Sequence, residues 1–159
     1  MDHAPCEFAR IHVSPEDRTA RGILAGLRAG SFWADHGHIL NDLLFTLSAP
    51  GLSLPVTPGE VVRLRASQPL QFSVLLQRGV GALDSNLIVE LIGNGRSGKP
   101  ELLFTQSLLP DQNRVDWTLT DPAAGSDDSS AYFRVRIRKP VENEADLMAY
   151  TNPIRVETH

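Results

Sequence analysis

The sequence has little of what marks several common classes of protein. Cys6 is its only cysteine, so the chain cannot form an internal disulfide or a cysteine-rich zinc site. No apolar run approaches the roughly 20 residues that a membrane-spanning helix needs. The first ten residues, MDHAPCEFAR, lack the basic segment and apolar core of a signal peptide. We therefore expect no membrane association and a location in the cytoplasm.

Positive charge is also scarce. The 159 residues include 15 Lys and Arg against 19 Asp and Glu, which gives a formal net charge of -4. A nucleic-acid-binding domain normally carries a basic patch or stripe, so we expect no nucleic-acid partner. The chain is 42% hydrophobic, which is ordinary for a soluble protein. Its length is enough for one compact domain with a core.

Complete catalytic motifs are missing as well. Gly93, Gly98 and Lys99 fit the start of a phosphate-binding loop, but Pro100 occupies the position that needs Ser or Thr. A strand-like run follows instead of a helix, so a hairpin turn is the better interpretation. Cys6 and the serines, including Ser48 and Ser53, lack the local motifs of nucleophiles. We expect no catalytic residue and no bound cofactor in this chain, and no enzymatic activity from it alone.

One amphipathic helix is predicted near the N-terminus, at about residues 15–29. Ser14 is placed as its N-cap, Pro15 as its first residue and Gly30 just beyond its end. Its apolar residues fall at helical spacing and form one stripe. The stripe consists of Ala20, Ile23, Leu24 and Leu27.

The rest of the chain alternates short strands with turn residues. The segment Leu87–Ile92 is apolar on nearly both faces, which is typical of a central strand. Gly93-Asn94-Gly95 predicts a turn, and Glu101–Ser107 its hairpin partner. Further strands are predicted at Phe8–Val13, Ser31–Asp35, Asn41–Ala49, Val61–Ala66, Leu70–Arg78, Arg114–Thr120, Ala131–Arg138 and Met148–Glu157, where Pro153 indicates an edge position or a bulge.

These elements predict a mostly-β fold, an antiparallel immunoglobulin-like β-sandwich with one N-terminal helix. We divide the chain into a strand-helix-strand lead over residues 1–37 and the sandwich over residues 38–159. Both belong to one compact domain.

Two clusters of side chains are candidate sites. The segment from Asp35 to Asp42 is the richest in metal ligands, and its His36 and His38 suit zinc or manganese. The alternatives are a polar loop between two strands, in which Asp35, Asn41 and Asp42 also lie, and a contact with a partner domain. On the Ala131–Arg138 strand, alternate residues form a basic-aromatic face for an anion, a carbohydrate or an acidic partner. This face consists of Tyr132, Arg134, Arg136 and Arg138. Its alternative is a solvated surface that pairs with Asp116 and Thr118 across the sheet.

Four segments, in order, resemble the C-terminal region of the PHP-family (polymerase and histidinol phosphatase) metal-dependent hydrolases, in particular the carbaryl-hydrolase-like group. They are ILAGLRAGSFWADHG at 23–37, VELIGNG at 89–95, YFRVR at 132–136 and AYTNPIRV at 149–156. In that family a separate barrel carries the zinc or manganese centre. The resemblance implies that this chain is a β-sandwich accessory to such a barrel.

The resemblance also implies a partner and a surface. Asp2 and His3, adjacent in place of the family's Asp-x-His-like spacing, are interpreted as a remnant of the barrel's last ligand motif that would complete its metal site; the alternative is a frayed chain end. The expected partner is the catalytic barrel or a second copy of the chain. An apolar patch is expected around the helix and the Phe32-Trp33 strand. A ligand-binding sandwich and a small metallo-hydrolase built on His36 and His38 remain as alternatives.

Overall fold

A computed structural model describes residues 9–15, 17–65, 68–94, 99–120 and 130–159. Within these ranges the chain is mostly β, as the sequence predicts. The helix is α1 (Ala20–Ala29), and the strands are β1 (Ala9–Val13), β2 (Phe32–His36), β3 (Leu40–Ser48), β4 (Val61–Leu64), β5 (Leu70–Arg78), β6 (Leu87–Asn94), β7 (Pro100–Leu108), β8 (Arg114–Leu119), β9 (Ser130–Lys139), β10 (Leu147–Thr151) and β11 (Ile154–Thr158).

The strands form two sheets. The larger sheet has eight strands in the order β1-β2-β10-β9-β11-β4, with β6 paired to both β9 and β7. The smaller sheet has the order β3-β5-β8. Every pairing is antiparallel except that of β4 with β11. The predicted antiparallel sandwich and the central position of β6 are both confirmed.

Three phenylalanines connect the two sheets at the centre of the core. Phe45 and Phe72 come from the smaller sheet and Phe133 from the larger, and all three are fully buried. The ring centroids of Phe72 and Phe133 lie 4.9 Å apart. The Phe133 ring covers Gly93, where a Cβ would lie 3.0 Å from it. Gly93 is therefore a packing residue within β6 and does not begin a turn; Gly95 lies outside the described residues.

Strand β9 organises the larger sheet because it has two neighbours along one edge. β10 pairs with its C-terminal half and β11 with its N-terminal half. The predicted single strand Met148–Glu157 is thus two strands, separated at Asn152 and Pro153. Pro153 has no N–H to donate to a ladder, and its carbonyl accepts a hydrogen bond from Gly59 N–H at 3.0 Å.

The helix begins later than predicted. Thr19, not Ser14, is its N-cap, because the Thr19 hydroxyl accepts from Gly22 N–H at 3.1 Å and Asp17 in turn accepts from Thr19 N–H. Gly30 ends the helix in the left-handed conformation (φ 77°), as predicted. In the described part of the chain, no helix is long and apolar enough to span a bilayer.

Candidate functional site

The helix exposes three of the four residues of its apolar stripe, all but the half-buried Leu27, and buries its two glycines. Gly22 and Gly26 are the buried positions of α1. Ile23 is 40% exposed and Leu24 50%, and Ile11 on β1 is 63% exposed. We call Ile11, Ile23 and Leu24 the helix-edge patch. Isolated exposed leucines are common, but an apolar helix face turned outward marks an interaction surface when its neighbours are also apolar.

Glycine contacts hold the helix in this orientation. Gly26 leaves room for Val13, which shares the Ile11 face of β1. Near the helix end, a Cβ on Gly59 would overlap the carbonyl oxygen of Ala29. The Asn152 side-chain amide donates to the Gly30 carbonyl at 3.0 Å. Because the backbone of α1 approaches the sheet so closely, its large side chains are left on the outer surface.

The expected position of the apolar patch is only partly right. Phe32 is half-buried and lies on the same side of the larger sheet as Val13, its partner in the ladder. Trp33 points to the other side and is 6% exposed. Its indole stacks on the His12 ring at a centroid distance of 3.8 Å. Trp33 therefore belongs to the core and not to the patch.

The predicted loop from Asp35 to Asp42 is mostly strand. Asp35 and His36 end β2, and Asn41 and Asp42 belong to β3. The Asp35 side chain is fully buried and accepts hydrogen bonds from Arg10 Nη2 at 2.8 Å and Ile39 N–H at 3.1 Å. This carboxylate is a structural anchor between β1, β2 and β3.

His36 and His38, the predicted metal ligands, have different surroundings. His36 is exposed at the end of β2, and His38 is half-buried in the loop that follows. The His38 backbone is left-handed (φ 53°), and its Nε2 is buried without a hydrogen-bond partner. Among the described residues, no three His, Cys, Asp or Glu side chains are placed together to hold a metal ion. Asp2 and His3 lie outside the described residues.

His12 lies near His38, and its surroundings lower its pKa. Burial lowers its pKa, and Arg10 on its own strand and His38 on the next loop lower it further, while Asp35 and Asp42 act in the opposite direction. Its Nε2 is also buried without a partner. The neutral imidazole is thus the form that the folded chain prefers.

Stability should depend on this histidine at mildly acidic pH. A pKa that is lower in the folded than in the unfolded chain means that the unfolded chain binds more protons, so stability falls as the pH drops below about 6.5, the usual histidine value. We expect His12→Gln to flatten the fall in unfolding free energy between pH 7 and pH 5. Urea denaturation at both pH values measures the unfolding free energies. An equal fall in free energy for the variant and the unmodified chain would contradict this prediction.

The predicted basic-aromatic face is built around a buried carboxylate. Glu90 on β6 is 2% exposed. It accepts from Arg136 Nε at 2.5 Å and Arg138 Nη2 at 3.1 Å, and Arg138 also pairs with Asp146. Burial raises the pKa of Glu90, but the hydrogen bonds from the two arginines outweigh it and hold the pKa below its usual value. Two of the three guanidinium groups on this face are therefore already neutralised.

The other members of the face have mixed roles. The backbone N–H of Tyr132 donates to Asn94 Oδ1 at 2.6 Å, and the buried Arg134 Nε has no hydrogen-bond partner. The predicted pairing of these arginines with Asp116 is wrong. Asp116 lies in the smaller sheet and pairs with Arg114 at 2.8 Å. The predicted pairing is wrong because the alternation of side chains along a strand does not reveal which sheet the strand joins.

Two structural residues escaped the sequence prediction, although one had a visible signal. Glu90 is the single charge in an apolar central strand, and a charge in that position requires a buried partner. The arginines at every second position of β9 are those partners. Arg10 had no such signal, because its pairing with Asp35 depends on the register of β1 against β2.

No family model matches this chain, and no curated protein matches it either.

Proposed function

We propose that this chain is an accessory domain of a PHP-type metal-dependent hydrolase and is not catalytic alone. In this proposal it binds the catalytic barrel through the helix-edge patch, and the zinc or manganese belongs to the barrel. The observation that carries the proposal is the outward orientation of Ile23 and Leu24 on a helix fixed by glycine contacts. The motif resemblance supplies the identity of the partner.

The geometry suits a rigid docking surface. Because contacts at Gly26 and Gly30 fix the C-terminal half of α1, its exposed side chains lose little additional backbone freedom on binding. Apolar side chains at the centre of an interface supply most of the binding energy once water is excluded. Covering one half-exposed leucine contributes about 1 kcal/mol to the binding free energy. Three such residues can therefore anchor a partner, but a complete interface needs further contacts.

The polar clusters are consistent with a structural role. Asp35 is held by Arg10 and by Ile39 N–H, and Glu90 by Arg136 and Arg138. A catalytic acid or base needs a pKa near the working pH and a free position beside its substrate. Glu90 has a lowered pKa and two arginine partners, which supports a structural carboxylate there.

A charge in the patch should weaken binding to the barrel. We expect Leu24→Lys to reduce the affinity for a PHP-type catalytic barrel from the same genome about tenfold or more, because burying an ammonium group at an apolar contact is costly. Isothermal titration calorimetry of the two purified domains measures this affinity.

Leu75→Lys is the matched control. Leu75 is 43% exposed, comparable with Leu24, but it lies on the outer face of the smaller sheet beside Leu44. This variant should bind like the unmodified chain. Turnover of phosphate mono- or diesters by the isolated chain in added manganese or zinc would overturn the proposal, as would equal losses in both variants.

A further inference from the structure

Strand β7 is a long sheet edge without charge along most of its length. It spans nine residues, Pro100–Leu108, and pairs only with β6 among the described strands. From Leu102 to Leu108 the sequence is LLFTQSL, with no charged residue and no proline. Leu102 is 53% exposed. Such an edge presents unpaired N–H and C=O groups that a further strand can join.

The other described edge strands carry protective features that the Phe104–Leu108 part of β7 lacks. Charged side chains stand on β1 (Arg10), β4 (Arg63) and β8 (Arg114), and each forms an ion pair. Asp42 lies within β3 near its start, and Val56 forms a bridge to Leu47 near the end of that strand. Charges and covering segments are the devices by which natural proteins block edge-to-edge pairing. β7 has a proline and a charge only at its start, Pro100 and Glu101, and a bulge at Leu103, so its remaining part, Phe104–Leu108, is the unprotected edge.

The neighbouring sheet supports β7 from one side. The Phe104 ring stacks on Trp117 of β8 with a centroid distance of 5.9 Å and an angle of 12° between the rings. A bulge at Leu103 interrupts the pairing with β6, but Phe104–Leu108 pairs regularly with Leu87–Leu91. This half of β7 therefore keeps a regular ladder with β6, and no described strand pairs with its other side.

We propose that two copies of this chain associate through β7, paired antiparallel about a two-fold axis near Gln106. In that register Thr105 faces Ser107 of the other copy, and Phe104 faces Leu108. On one face of the extended sheet hydroxyl groups thus meet hydroxyl groups, and on the other face apolar side chains meet apolar ones on either side of the Gln106 pair. Between Phe104 and Leu108 this register places no like charges opposite each other across the axis. The edge is therefore self-complementary, which suits an isologous dimer.

The association is weak because the interface is narrow. Five residues from each copy pair directly, and interfaces below about 1,200 Å² form transient complexes. A reversible monomer–dimer equilibrium is the expected result of sedimentation velocity over a concentration series. A chain that remains monomeric at all concentrations overturns the proposal, and favours the alternative that β7 accepts a strand from a different protein.

A substitution at the axis tests the register. Gln106 is exposed, so Gln106→Lys leaves the core intact and places two like charges opposite each other. We expect this change to weaken dimerisation about tenfold. Thr118→Lys, at an exposed position on the β8 edge, is the matched control and should dimerise like the unmodified chain.

An equimolar mixture of Gln106→Lys and Gln106→Glu should restore association, because the heterodimer then pairs opposite charges at the axis. A general loss of stability at this position would not produce that recovery. Failure of the mixture to associate would overturn the proposed β7 interface. The interface would also be wrong if Leu24→Lys abolished the dimer while Gln106→Lys left it intact.

Discussion

Replacing Glu90 with alanine is expected to lower the free energy of unfolding by roughly 3 kcal/mol, since removing one partner of a buried ion pair leaves the others uncompensated. Arg136 and Arg138 keep 31% and 27% of their side-chain surface exposed. Water can therefore solvate part of each guanidinium group, which places the cost at the low end of the usual range. Urea denaturation at pH 7 measures it.

Two further variants separate the cost of leaving a buried charge without a partner from the contribution of the ion pair itself. Asp116→Ala removes an exposed partner of Arg114 and should cost less than about 0.5 kcal/mol. The double variant Glu90→Met with Arg136→Met should recover most of the loss, because Arg138 retains Asp146 and apolar replacements of a buried pair are often near neutral. A large loss in the double variant would show that the pair stabilises the sheet beyond satisfying its own charges.

Acid should affect the same carboxylate. Since the folded state holds the pKa of Glu90 below its usual value, its contribution is complete above the unfolded pKa of about 4.3 and is lost as the pH falls through the folded value. The Glu90→Ala variant therefore shows a shallower acid limb of the stability curve than the unmodified chain.

Replacing Asp35 with alanine should cost roughly 2–3 kcal/mol. The change leaves the buried N–H of Ile39 without an acceptor, and it leaves the guanidinium group of Arg10 with only the Leu40 carbonyl, 3.2 Å from its Nη2. Because these donors lie on β1 and at the start of β3, we expect the loss to appear first as faster amide exchange in β1 and at Ile39. Hydrogen exchange and urea denaturation together measure it.

Asp35→Asn is the informative control. The amide oxygen still accepts from Ile39 N–H, whereas the charge that Arg10 requires is gone. A cost intermediate between the unmodified chain and Asp35→Ala is expected. If Asp35→Asn were as stable as the unmodified chain, the contact with Arg10 would contribute nothing measurable, and our account of the anchor would be wrong.

Local patterns were sufficient to predict most of the strands. The predicted strand Leu70–Arg78 is confirmed residue for residue, because alternating apolar side chains and flanking turns are encoded within the segment itself. The end of α1 is also confirmed, since a glycine in the left-handed conformation is a strong local signal. The predicted start of α1 is wrong, because Asp17 and Thr19 form the capping hydrogen bonds and the helix begins only after Thr19.

Long-range relations could not be predicted from these patterns. The apolar stripe of α1 has the periodicity of a buried face, yet glycine contacts turn it outward. The ion pairs of Glu90 and Asp35 depend on which strands become neighbours, over separations of 46 and 25 residues. Whether the helix-edge patch binds a catalytic barrel depends on a second molecule, which no pattern within one chain encodes.

The position of β11 also sets when the larger sheet can be completed during synthesis. β4 pairs with β11, and its Arg63 meets Glu157, 94 positions later in the chain. At about 5–20 residues per second, a ribosome takes on the order of 5–20 s to cover that distance. Throughout that interval no described strand is available to pair with β4, and β10, which pairs with β2, is also still to be made. Substitutions that expose apolar surface during this interval should reduce the yield of folded protein even where the finished sheet is as stable as before.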